Sequence, residues 1–171
     1  MPLTFSEINK LNEADFTAAF GHIFEHSPWI AQRTHRERPF ADFVTLHTLL
    51  CTTMRSASRN EQLALIRAHP DLGGRLEQLK QLTAESANEQ ASAGLDAMDD
   101  KELAEFQKLN TAYRARFGFP FIICARLNDR DSIMEAMRWR VANTRAEELE
   151  NALGEIEKIA WLRLQDVVKQ S

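Results

Sequence analysis

The chain has 171 residues, 44% of them hydrophobic and 27% charged, which is enough apolar material for one domain with its own core and too much for a disordered segment. Twenty-one Lys and Arg against 25 Asp and Glu leave a formal charge of −4, which excludes sequence-independent nucleic-acid binding as a leading function, since that needs a basic surface. No apolar run approaches the ~18 residues of a membrane span.

In chain order, Thr4 is placed to cap a short helix through Leu11. Asn12 caps a second, in which Phe16, Ala19, Phe20 and Ile23 recur at helical spacing. That helix is expected to stop before Pro28, because the residue preceding a proline is pushed out of the helical region. Pro28 to Ala31 reads as the first turn of a third helix with Ser27 as its cap. Phe43, Leu46, Leu49, Leu50 and Thr53 trace one face of a helix between Asp42 and Ser56. Arg59 to Ala68 is a further helix that ends at His69-Pro70, with a break at Gly73-Gly74. Thr83 to Ala97 is helix-like but polar. Asp99 or Asp100 caps a clearer amphipathic helix, which Gly118 closes. Phe119 to Cys124 is a short apolar run with a proline, read as a buried extended segment. Arg130 to Asn143 and Thr144 to about Gln170 complete the set, the last opened by a Thr144/Glu147 capping box. No repeat or composition break appears. The expected fold is all-α, a single compact domain over residues 1–171 with helices too irregular for a simple four-helix bundle.

Several positions carry possible chemistry. His22-Ile23-Phe24-Glu25-His26 matches the H-x-x-E-H pattern of some zinc peptidases, but it lies just before a helix-ending proline and no further acidic ligand stands out. His69, at a helix end before Pro70 and a glycine pair, sits where the backbone is fixed. Histidine titrates near neutral pH and is the natural proton carrier; from this fragment a structural and a catalytic role are equally open. Ser86, Glu89 and Gln90 share one helix face, which suits either a polar ligand or solvent. Asn110, Tyr113, Arg114 and Arg116 lead into the aromatic run Phe117 to Phe121, core material by default. Arg163 lies within an apolar stripe, where it either snorkels or pairs with an anion. Cys51 and Cys124 sit among apolar neighbours at no metal-type spacing and are read as reduced core thiols. The N-terminal MPLTFSEINKLNEADF lacks the parts of a secretory signal, and Lys169-Gln170-Ser171 is neither a peroxisomal nor a lipidation signal, so a cytoplasmic location is expected.

Taken together and in order, FGHIFEHSPWIA (20–31), AHPDLGG (68–74), LTAESANEQASAGL (82–95), LNTAYRARFGFPFIICAR (109–126) and EIEKIAWLRL (155–164) resemble the blocks of the 2-oxo-4-hydroxy-4-carboxy-5-ureidoimidazoline (OHCU) decarboxylases. The resemblance covers essentially the whole chain. It implies an all-α fold of about eight helices and a homodimer. It implies the conversion of OHCU to (S)-allantoin and CO₂, the last of three steps from urate, with a small-molecule substrate and neither metal nor organic cofactor. By matching block it implies His69 as the catalytic histidine and Glu89 as the second catalytic residue. Pro70, Ser86 and Gln90 would bind substrate, Pro70 also positioning His69. Arg163 would be a substrate-binding arginine, and the backbone of Phe121, Ile122 and Ile123 would meet the ring or ureido amides. Two other readings stand beside this one: a non-catalytic helical binding module of the same fold, and a zinc hydrolase built on His22 and His26.

Overall fold

A computed structural model describes residues 1–73 and 81–169. Gly74, second of the expected glycine pair, lies outside the described residues. Those described form nine α-helices and two 3-10 turns: α1 (Phe5–Ile8), α2 (Glu13–Phe20), α3 (Trp29–Thr34), the turn His35–Glu37, α4 (Phe43–Arg55), α5 (Arg59–Ala68), α6 (Ala84–Ser92), α7 (Asp100–Phe117), the turn Ala125–Leu127, α8 (Arg130–Arg140) and α9 (Arg145–Val167). There is no strand among the described residues, only an isolated bridge between Leu3 and Val168. The fold is all-α, as the helical periodicity predicts. None of its described helices is long and apolar enough to cross a membrane.

Packing divides the chain into two compact units, Met1–Ala68 with Ile156–Ser171, and His69–Glu155. Composition alone shows no boundary at either point.

In the first unit the caps fall where short polar side chains precede apolar periodicity. Thr4 and Glu7 form a reciprocal capping box, Asn12 caps α2 and Asp42 caps α4. The aromatic centre is Phe16, which lies 4.6 Å from Phe20 and 5.5 Å from Phe40 between ring centroids. The N-terminal strand-like stub is pinned to the end of α9 by Leu3 N–H to Val167 O and Lys169 N–H to Leu3 O, both 2.8 Å. Two local expectations are corrected here. α2 does stop before Pro28, but it ends at Phe20, so Ile23 lies outside it and residues 21–27 run as turns and bends. Ser27 does not cap α3: its hydroxyl donates to Glu25 O at 2.9 Å, and α3 has no side-chain cap.

In the second unit Thr83 caps α6, which stops at Ser92 rather than Ala97 because a closing turn through Gly94 brings Leu95 N–H back to Gln90 O at 3.0 Å. Asp99 and Glu102 form the capping box of α7, and Gly118, at φ +76°, ends it in the left-handed conformation that a Cβ would disfavour. Phe119 to Cys124 is a fully buried extended segment, as expected. α8 ends at Arg140 instead of Asn143, whose side chain is drawn to Glu148 at 3.0 Å. Thr144 and Glu147 exchange the two bonds of the capping box that opens α9.

Candidate active site

His69 is the first residue of the second unit and is buried. The backbone that follows it is not helical, so its polar groups need partners from elsewhere. Gln90 supplies two: its Nε2 donates to Asp71 O at 3.3 Å, and its Oε1 accepts from Gly73 N–H at 3.1 Å. Asn110 Nδ2 donates to Leu72 O at 2.8 Å. Arg114 Nη2 reaches the Asp71 carboxylate at 2.8 Å. Gly73 is at φ +65°, and a Cβ there would fall 2.5 Å from Met98 Cε. The turn after His69 is therefore held by proline and by side chains from two helices, and it requires a glycine at position 73.

α6 carries the second group of expected site residues. Ser86 and Gln90 are buried and Glu89 is half-buried on the same face. Gln90 ties this helix directly to the turn after His69. The other end of the arrangement comes from the packing of α6 on the turn Ala125–Leu127, which follows the Phe121–Ile123 segment after Cys124. His69, Pro70, Ser86, Glu89, Gln90 and Phe121 to Ile123 thus all belong to one compact unit. Gln90 differs from its expected role in one respect: both ends of its amide are engaged with protein backbone.

The extended segment rests on a buried polar cluster that sequence reading passes over. Arg140 Nη1 donates to Ile122 O at 2.8 Å, its Nε donates to Glu148 Oε1 at 2.8 Å, and its guanidinium lies 4.2 Å from the Phe121 ring centroid. Glu148, with no exposed surface, also accepts from Tyr113 Oη at 2.6 Å, Asn143 Nδ2 at 3.0 Å and Asn151 Nδ2 at 2.6 Å. Burial pushes the Glu148 carboxyl up, but the hydrogen bonds from Asn143, Tyr113 and Asn151 and the Arg140 charge outweigh it and hold it below its ordinary value. Burial and the bond to Glu148 push the Tyr113 phenol up, so it stays a neutral donor. A signal for this cluster exists in the sequence: Ile133, Met137 and Arg140 share one face of α8, and Glu148 is four residues before Ala152 on the apolar stripe of α9.

Arg163 belongs to the first unit. It is 3% exposed and does not snorkel. Its Nη2 donates to Glu25 Oε2 at 3.0 Å, and its Nη1 to His22 O and Ile23 O at 3.3 and 3.4 Å. Glu25 is thereby the partner of a buried arginine. This removes the zinc-peptidase geometry of His22 to His26. The five residues are not helical, His26 sits at φ +46°, and both histidines are exposed. No cluster of His, Cys, Asp and Glu with metal-binding geometry occurs among the described residues. Cys51 lies 3.4 Å from His47 Nε2, but burial pushes its thiol up to about 12, far from a reactive thiolate. A cavity of about 770 Å³ lies beside the Pro70–Gly73 turn; Pro70 and Asn110 line it, whereas neither His69 nor the α6 face does.

Residues 9–165 match the family model described as OHCU decarboxylase. The chain belongs to the OHCU decarboxylase family. It is 44% identical over 162 residues to the 2-oxo-4-hydroxy-4-carboxy-5-ureidoimidazoline decarboxylase of Haloferax volcanii, covering 95% of this chain and 94% of that protein. It is 42% identical to the corresponding protein of Halalkalicoccus jeotgali, over 96% of this chain and 92% of that one. Among solved structures, a crystal structure of (S)-allantoin synthase superposes with a TM-score of 0.81 at 28% identity, over 99% of this chain and 55% of that one. The family's name thus agrees with the resemblance carried by the sequence blocks.

Proposed function

We propose that this protein is an OHCU decarboxylase that releases CO₂ from 2-oxo-4-hydroxy-4-carboxy-5-ureidoimidazoline and yields (S)-allantoin in urate degradation. Family membership over nearly the full chain supports the reaction. The observation that carries the site is the Gln90 clamp, which ties the helix bearing Ser86 and Glu89 to the turn that follows His69.

The chemistry suits a site of this kind. Losing CO₂ leaves an electron pair on the ring carbon that held the carboxylate. The neighbouring ring C=N accepts that pair, so the substrate supplies its own sink and the protein needs to orient it, exclude water and move protons. As the carbon–carboxylate bond breaks, a carbon–carbon double bond forms and the imine nitrogen takes a proton. The 4-hydroxyl then loses its proton to become the carbonyl of allantoin, and the ureido-bearing carbon gains one on a single face. His69 is the general acid/base for these transfers. Glu89 accepts from the hydroxyl or a ring N–H, and Ser86 and the Phe121–Ile123 backbone bind the amide edges. Arg163 is the further substrate ligand implied by its block, its charge balanced in the free protein by Glu25. The enzyme works in the cytoplasm, without a cofactor, as a homodimer; sedimentation velocity reads the last point.

The test generates the unstable substrate in situ from urate with urate oxidase and hydroxyisourate hydrolase and follows circular dichroism. Rapid appearance of optically active (S)-allantoin on adding the protein is expected. Racemic product at the uncatalysed rate would favour a non-catalytic binding module instead.

A further inference from the structure

Asp71, Leu72 and Gly73 make no helix, yet a main-chain group of each is held by a side chain: Asp71 O and Gly73 N–H by Gln90, and Leu72 O by Asn110. Asn110 is the unexpected member, because it lies on α7 and not on the helix that carries the expected substrate-binding face. It is 8% exposed, and its Oδ1 is buried with no hydrogen-bond partner among the described residues. A buried carbonyl left unsatisfied opposes folding, and an aliphatic side chain of similar size would avoid that cost. What Asn110 supplies in return is the Nδ2 donor to Leu72 O. Between Leu72 and His69 the torsions are already restricted by Pro70, whose ring fixes φ, and Gly73 beyond them sits at φ +65° with Met98 and Phe106 occupying the space that a Cβ would need. With Leu72 O held as well, little freedom remains to the backbone that presents the imidazole.

We propose that Asn110 is a positioning residue for His69: it fixes the Leu72 carbonyl and through it the orientation of the catalytic imidazole, without touching substrate. The proposal rests on the reading of His69 as the proton carrier. A misplacement of about 1 Å at a catalytic group costs on the order of 100-fold in rate, so the effect belongs in kcat rather than KM.

The experiment compares Asn110→Asp, Asn110→Leu and His69→Ala with the wild type in the coupled assay, and records the His69 imidazole resonances by NMR. The expected result is a kcat lower by roughly 10- to 100-fold in both Asn110 variants with KM changed by less than about twofold. The His69 resonances shift in both. In Asn110→Asp, part of the loss is recovered as the pH falls, because a protonated carboxyl regains a donor for Leu72 O; Asn110→Leu shows no such recovery. Wild-type kcat with unmoved His69 resonances in folded Asn110→Leu, alongside an inactive His69→Ala, overturns the proposal and leaves the functional reading intact. A change confined to KM also overturns it, because it means direct contact with substrate. A fully active His69→Ala refutes the functional reading instead, and the proposal falls with it. If the larger changes prevent folding, Asn110→Ser, which keeps a shorter donor, decides in the same way by its kcat and its His69 resonances.

Discussion

Two buried arginines in this protein solve the same problem with different tightness. Arg140 props the Phe121–Ile123 segment and Arg163 props residues 22–23, each by donating to main-chain carbonyls of irregular backbone and each with its charge balanced by a buried glutamate. Arg140 does so through a bond of 2.8 Å to Ile122 O, with a glutamate that three further side chains also hold. The carbonyl bonds of Arg163 are 3.3 and 3.4 Å, near the limit of a hydrogen bond. Its partner Glu25 lies 138 residues away in sequence, against 8 for Arg140 and Glu148. Arg140 nevertheless keeps one buried nitrogen, Nη2, without a hydrogen-bond partner among the described residues, so bond length alone does not separate a strut from a ligand; we propose, on the resemblance of its block, that Arg163 is the substrate ligand and Arg140 the strut.

The largest effect expected from this contrast is on stability. Glu148→Ala leaves Arg140 as an uncompensated buried cation and should cost about 3–5 kcal/mol, read from the urea midpoint. A loss no greater than that of a surface substitution would contradict the role of the cluster. Arg163→Lys should show the opposite balance. It keeps the charge beside Glu25 and loses the planar fork, so stability should fall by less than about 2 kcal/mol while kcat/KM drops at least ~10-fold. If Arg140→Lys lowers kcat/KM more per unit of lost stability than Arg163→Lys does, the assignment of strut and ligand is reversed.

Acid offers a finer distinction. The carboxyl of Glu148 is held below its ordinary value in the folded state. Its contribution to stability is therefore fully present above the unfolded value of about 4.3 and is lost as the pH falls through the lower folded value. Stability measured from pH 6 downward should decline less steeply for Glu148→Gln than for the wild type over that acid window. Equal slopes would mean that the glutamate gains nothing from its partners. The smallest effect expected is at Cys51. Buried with its thiol pushed up to about 12, it should react with a thiol reagent at neutral pH only at the rate of global or local opening, and its alkylation should not track activity.

Much of the architecture is legible in the sequence because local rules decide it. Thr4, Asn12, Asp42, Thr83, Asp99 and Thr144 are short polar residues placed before apolar periodicity, and each caps a helix there. Gly118 closes α7 for an equally local reason. Two of the misreadings arise where a distant partner competes. Residues 22–26 look helical by themselves, but Glu25 and the carbonyls of His22 and Ile23 are taken by Arg163 from the other end of the chain, and the segment turns instead. Ser27 bonds within that turn and is lost to α3 as a cap. The same holds for the candidate site. His69, Ser86, Glu89 and Gln90 are visible as a histidine before Pro-Asp-Leu-Gly and as one helix face. That Gln90 grips the backbone after His69, and that Asn110 grips it from a second helix, depends on tertiary contacts that no spacing encodes.

We propose that His69 carries the proton in a decarboxylation that the protein accelerates. The most direct test is the initial rate of (S)-allantoin formation by His69→Ala at matched folded concentration. A loss of at least ~100-fold with the fold intact is expected, in line with removal of a general acid/base. A variant that keeps the wild-type rate would contradict it.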